Sequence, residues 1–103
     1  MARRAASGYR LSPKAEDDLS DIWLYTAQNW SMGQAENYLR GLEEKLRQLC
    51  QNPRLAPERS EISPPVRLYI YRSHLVIYRI EGEFLAIIRV LHNRQHWQAL
   101  IES

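Results

Sequence analysis

Between Pro13 and Asn52, apolar positions recur at three- and four-residue steps. They run first as Ala15, Leu19, Ile22, Trp23, Thr26 and Trp30, then as Ala35, Tyr38, Leu39, Leu42, Leu46, Leu49 and Cys50. That period is the one-sided stripe of an amphipathic helix. Ser12 ahead of Pro13 supplies a capping side chain and a first helical residue whose φ is already set. Ser31 with Gln34 three residues on repeats the start signal. The pattern therefore predicts two helices folded back as an antiparallel hairpin and stopped at Asn52-Pro53.

After a proline-bearing linker over residues 52–65 the period changes to two. Val66, Leu68 and Ile70 alternate with Arg67, Tyr69 and Tyr71, which predicts a half-buried strand with one apolar face and one aromatic, basic face. A tight turn near Arg72-Ser73 leads to a second strand, His74 to Ile80. After Glu81-Gly82-Glu83 a third strand runs from Phe84 to about His92, and together the three form a meander. The third is apolar almost throughout, as expected of a central strand covered on both faces. Arg89 breaks that run, and a charge placed there has to be paired or used. Tyr9-Arg10-Leu11 adds a short edge strand. The expected architecture is a single α+β domain over residues 1–103: a short N-terminal strand, then a two-helix hairpin packed on an antiparallel sheet of about four strands. Residues 1–8 and 93–103 are expected to be tails.

Composition narrows the function classes. With 103 residues there is room for one core, and 45% hydrophobic with 25% charged residues is ordinary for a folded globular chain. No apolar run reaches the ~20 residues of a membrane helix. Cys50 is the single cysteine, and His74, His92 and His96 are scattered without ligand spacing, so no disulfide, metal site or cofactor is expected. These features fit a cytoplasmic protein. The net charge of +2 is small but unevenly spread: residues 13–52 carry −3, and residues 66–97 carry +3, all of that positive charge from arginine. Arginine forks suit carboxylates and phosphates, so the second half is where an anionic partner is expected.

The order of strand, helical hairpin and meander carries particular residues with it. They are Leu11-Ser12-Pro13-Lys14-Ala15 leading into Asp18-Leu19-Ser20-Asp21-Ile22-Trp23 and Tyr25, then Trp30, Gly33, Gln34-Ala35 and Tyr38-Leu39. Pro53, Arg67, Ser73-His74-Leu75-Val76-Ile77-Tyr78-Arg79 and Ile88-Arg89-Val90-Leu91-His92 follow. In this the chain resembles the ParE branch of the RelE/ParE toxin superfamily over about residues 9–92. The resemblance implies the toxin of a bacterial type II toxin-antitoxin pair, held in a hetero-oligomer by a ParD-like antitoxin. It also implies that DNA gyrase is poisoned by non-covalent binding, without sequence-specific contact to nucleic acid.

On that reading the partner-binding residues are Arg67, Tyr69, Tyr71, Tyr78, Arg79, Arg89, His92, Arg94 and Trp97, with Trp23, Trp30 and Tyr38 lining an antitoxin groove. Packing is the plainer role of the three tyrosines. The competing class is an enzyme, a RelE-like ribosome-dependent messenger endonuclease. Its site would use Arg67, Arg79 or Arg89 as phosphate clamps and His92 or His96 as proton carrier. The acidic residues Glu16, Asp17 and Asp18 read as helix-start residues that favour the dipole, not as acids or bases.

Overall fold

The computed structural model describes residues 5–102, the side chain of residue 102 excepted. Strand β1 (Gly8–Leu11) enters the helical hairpin, α1 (Pro13–Asn29) and α2 (Met32–Gln51). The caps form where the sequence places them: Ser12 Oγ accepts from Ala15 N–H and Ser31 Oγ from Gln34 N–H, each at 3.0 Å. The chain continues through β2 (Glu58–Arg59), β3 (Val66–Tyr71), β4 (His74–Glu81) and β5 (Phe84–His92) to a short helix α3 (Trp97–Glu102).

The strands form one mixed sheet in the order β1-β5-β4-β3-β2. Two features correct the expected all-antiparallel sheet of about four strands. First, β1 runs parallel to β5, with Gly8 opposite Phe84 and Leu11 opposite Ile87, because the hairpin that follows β1 leaves from the same end of the sheet. Ser12 fixes that geometry by donating its hydroxyl to Ile88 O at 2.7 Å. Second, Glu58 and Arg59, inside the expected linker, pair with Arg67 and Val66 as a fifth strand. Two residues are too few to show a period, which is why the pattern misses them.

Two cores flank the sheet. The larger packs Ile22, Leu42, Leu46 and Leu49 of the hairpin against Tyr71, Val76, Tyr78, Leu85, Ile87 and Val90. The smaller, on the opposite face, joins Ile62, Val66, Leu75, Ile77 and Leu91 to Trp97, Leu100 and Ile101 of α3. The stretch expected as a C-terminal tail, residues 93–103, therefore contains a helix that covers one face of the sheet. Of the expected tail at residues 1–8, residues 1–4 lie outside the described residues. Ala6 and Ser7 donate backbone hydrogen bonds to Cys50 O and Glu83 O, and Gly8 begins β1.

The face occupied by Arg67, Tyr69, Tyr71 and Tyr78 is the one buried under the hairpin, not an exposed basic surface. Two cross-contacts explain how such large side chains fit there. Tyr78 OH donates to Pro53 O at 2.9 Å, and Tyr71 lies directly beneath Gly41 of α2, where any Cβ would overlap its hydroxyl. A glycine in the middle of that helix costs backbone entropy, and the close approach of Tyr71 is what it permits.

Candidate functional site

The register of β4 and β5 slips once: Ile77 faces Arg89, but Tyr78 faces Ile87, which leaves Ile88 as an extra residue on β5. A bulge of this kind bends the strand and re-aims its side chains. Its effect here is that Ile87 and Val90, three positions apart, both pack into the larger core, and Arg89 between them turns toward α1. There its guanidinium meets Asp18: Nε donates to Oδ2 at 2.8 Å and Nη2 to Oδ1 at 2.9 Å. Asp18 Oδ2 also accepts Val90 N–H at 2.9 Å. The two side chains are only 17% and 11% exposed. Donating to the Asp18 carboxylate holds the Arg89 guanidinium pKa above its ordinary value, against the opposing effect of burial.

This pair forms the floor of an open groove of about 810 Å³ at the end of the molecule. One wall belongs to the hairpin, with Ile22, Tyr25, Trp30 and Tyr38; the other belongs to the sheet, with Arg72, His74 and His92. Tyr25 and Trp30 are 62% and 71% exposed, so their rings are presented to solvent instead of filling the core. The β3–β4 turn supplies Arg72, whose φ of 53° lies in the left-handed region that non-glycine residues seldom adopt.

Within the groove Tyr38, His74 and His92 form a connected ring cluster. Tyr38 OH lies 2.7 Å from His74 Nδ1, and the His74 ring meets those of Tyr38 and His92 edge-on, each at a centroid distance of 5.5 Å. Burial pushes the His74 pKa below the ordinary imidazole value; neighbouring His92 adds to this and Asp18 opposes it. Burial pushes the Tyr38 phenol the other way, upward. Arg94 N–H donates to His92 Nδ1 at 3.1 Å, so in the neutral ring the remaining proton sits on Nε2, on the other side of the ring.

The residues expected to bind partners divide among four places. Arg89 and His92 line the groove, with Arg94 exposed beside them. Tyr71 and Tyr78 are buried, and Tyr69 packs half-buried against the same core. Their role is packing, because no surface of Tyr78 is left for a partner. Arg67 is buried too, its Nη1 donating to Ala56 O at 2.6 Å. Trp97 caps the smaller core, with the Arg59 guanidinium 5.3 Å from its ring centre.

The expected antitoxin groove also splits. Trp30 and Tyr38 line the main groove, whereas Trp23 faces a separate recess with Tyr9, Leu19 and Leu39. The four-residue ribonuclease set is not assembled either. Arg67 and Arg79 line a recess at the other end of the strands, five residues along β4 from His74, or roughly 17 Å. His96 is exposed and outside the groove.

Asp18 is the groove residue that the pattern hides. It is the sixth residue of α1, beyond the opening turn, and stands in the buried stripe with Ala15 and Ile22. A carboxylate in an apolar helical stripe and an arginine in an apolar strand are each anomalous alone, and the signal lay in matching them. Among the described residues no group of histidine, cysteine or carboxylate side chains could hold a metal ion, and no helix is long and apolar enough to cross a membrane.

A helical hairpin laid over a mixed sheet, with an aromatic-walled groove at one end, defines a small α+β domain of the RelE/ParE type. The chain belongs to the ParE toxin family: residues 9–97 match the family model for the ParE toxin of the type II toxin-antitoxin system parDE. It is 40% identical over 90 residues to Toxin ParE1 of Mycobacterium tuberculosis, covering 86% of this chain and 92% of that one. To Toxin ParE1 of Caulobacter vibrioides it is 36% identical over 91 residues, covering 88% and 94%. Among solved structures, a chain of the chromosomal ParDE toxin-antitoxin system from P. aeruginosa superposes with a TM-score of 0.72 at 22% identity, over 87% of this chain and 98% of that one. That likeness confirms the fold.

Proposed function

We propose that this toxin inhibits DNA gyrase by non-covalent binding and is neutralised by a ParD-like antitoxin. The observation that carries the reading is the engagement of Arg89. Its Nε and Nη2 are engaged by Asp18, so the arginine on the groove floor is already charge-paired, which weakens it as a clamp for a scissile phosphate. What the groove offers instead is contact surface: two exposed aromatic rings on the hairpin side and the guanidinium group of Arg72 on the sheet side. Large aromatics and arginines are the residues that dominate protein–protein binding energy. An acidic amphipathic helix, apolar toward Tyr25 and Trp30 and anionic toward Arg72, is the complement of that groove.

A second reading, the ribosome-dependent messenger endonuclease, draws support from one feature. His74 and His92 stand 5.5 Å apart beside the Tyr38 hydroxyl, within reach of a shared ligand. The two readings separate in one set of assays with the purified toxin. Accumulated gyrase cleavage complexes and lost supercoiling support gyrase inhibition, whereas codon-position cuts in a translation extract support the endonuclease. Added ParD-like antitoxin is expected to reverse the gyrase effect.

A further inference from the structure

The charged side chains that line the groove balance one another. Asp18 and Asp21 of α1 stand against Arg72 of the β3–β4 turn and Arg89 of β5, two of each sign. The net charge of the groove is therefore set by His74 and His92, the lining groups that titrate near neutrality. Tyr38 OH lies 2.7 Å from His74 Nδ1 and 3.5 Å from Tyr71 O, so beside a neutral ring the hydroxyl donates to the nearer nitrogen. Arg94 N–H occupies His92 Nδ1 in the same way. Both neutral rings thus carry their proton on Nε2. Among the described residues neither Nε2 has a partner and neither is a buried orphan, so both stay open to solvent in the groove. A proton added at His74 Nδ1 reverses one hydrogen bond: the ring donates to Tyr38, whose hydroxyl turns to Tyr71 O. At His92 Nδ1 the added proton would meet the Arg94 N–H and cost that bond. With ring centres 5.5 Å apart, a second proton is repelled by the first, and the pair titrates as a unit.

We propose that the His74–His92 pair is a proton gate on the groove: one proton taken up from solvent turns a charge-balanced cleft cationic and favours an anionic occupant. This rests on the reading of the groove as the seat of an acidic helix. An anion held near the two Nε2 donors stabilises the charged ring in return, so binding and protonation strengthen each other by the same factor. In the empty groove burial disfavours the charged form of His74, His92 adds to this, and Asp18, which opposes it, is already paired with Arg89. The ring therefore charges when the pH falls or when an anion arrives.

The test measures binding of two capped amphipathic helices of about 18 residues to the full chain, one with leucine and glutamate faces, the other with glutamine in place of glutamate. Glutamate stays ionised between about pH 7.5 and about pH 5.5, so a pH effect over that range belongs to the toxin. The glutamate helix is expected to bind at least about fivefold tighter at the lower pH, and the glutamine helix to change less than about twofold. His74→Gln combined with His92→Gln is expected to bring the effect below about twofold, and His96→Gln, exposed and outside the groove, to leave it unchanged. Should the double variant fail to fold, the ring ¹⁵N resonances of His74 and His92 in the unsubstituted chain decide. Their titration midpoint is expected to rise by at least about 0.7 pH unit, the logarithm of that fivefold, with the glutamate helix bound and to stay in place with the glutamine helix. Equal affinity of the glutamate helix at both pH values, a rise that survives the double substitution, or an unmoved midpoint would overturn the gate alone. The same rise with the glutamine helix, or no saturable binding of the glutamate helix at either pH, would overturn the anionic occupant with it.

Discussion

Arg89 in the central strand and Asp18 in the first helix, separated by 71 positions in the chain, are joined by two parallel hydrogen bonds of 2.8 and 2.9 Å. The same carboxylate caps Val90 N–H at the β-bulge, so one side chain fastens the hairpin to the sheet at three points. The groove floor, the bulge and the helix packing are thus one structural unit.

Breaking that unit from either side leaves a poorly hydrated charge behind. Asp18→Asn is expected to cost about 2–3 kcal/mol, less than the full price of a wholly buried pair because both side chains keep some exposure. Replacing both, as Asp18→Leu with Arg89→Met, is expected to recover at least half of the loss, since no orphaned charge remains. Urea unfolding of the two variants checks the pair. A double variant no more stable than Asp18→Asn would show that the bond geometry, not charge pairing, holds the bulge.

The Gly41–Tyr71 contact reverses the usual effect of a helical glycine. On an open helix Gly→Ala gains up to about 1 kcal/mol. Here the new methyl would overlap the Tyr71 hydroxyl, and Gly41→Ala is expected to destabilise by about 1–3 kcal/mol. The companion Gly41→Ala with Tyr71→Phe, which removes the clashing oxygen, is expected to be the more stable of the two in thermal melts.

Acid sensitivity has a sign set by His74. Its pKa in the fold lies below the ordinary 6.5, so the unfolded chain takes up a proton at a higher pH than the folded one does. Stability on this account is complete above the unfolded value and falls as the pH drops through it. The groups facing the ring are Tyr38, His92 and Asp18. His74→Gln is expected to flatten the slope of unfolding free energy between about pH 7 and pH 5. An unchanged slope would move the effect to another group.

Much of this could be read from the residues alone. Both helix starts are marked by serine caps, and β3, β4 and β5 fall where the period of two places them. The faces are what the strand pattern could not assign. Alternation puts Arg67, Tyr69 and Tyr71 on one side, and polarity points that side to solvent. Yet the apolar side also had to be covered, by α3, whose six residues are too short for a helical period. With that face closed, the tyrosine face packs under the hairpin, where Gly41 makes room for Tyr71. The bulge at Ile88 was equally unreadable, since an inserted residue leaves no mark in an apolar run.

The exposed rings on the groove rim separate binding from folding. Trp30→Ser is expected to change stability by less than about 0.5 kcal/mol, because the ring is largely in solvent. It is expected to weaken a ParD-like antitoxin by at least tenfold, or about 1.4 kcal/mol, measured by calorimetric titration. Undiminished affinity in a folded variant would place the antitoxin elsewhere.

The central claim is that this toxin acts by occupying its target and not by turning over a substrate, and the most direct measurement is the stoichiometry of its effect. Purified toxin titrated against gyrase is expected to abolish supercoiling at a fixed molar ratio, independent of incubation time and reversed by antitoxin. Supercoiling left intact at a large excess of toxin, together with RNA cut many times per toxin molecule in the presence of ribosomes, would contradict it.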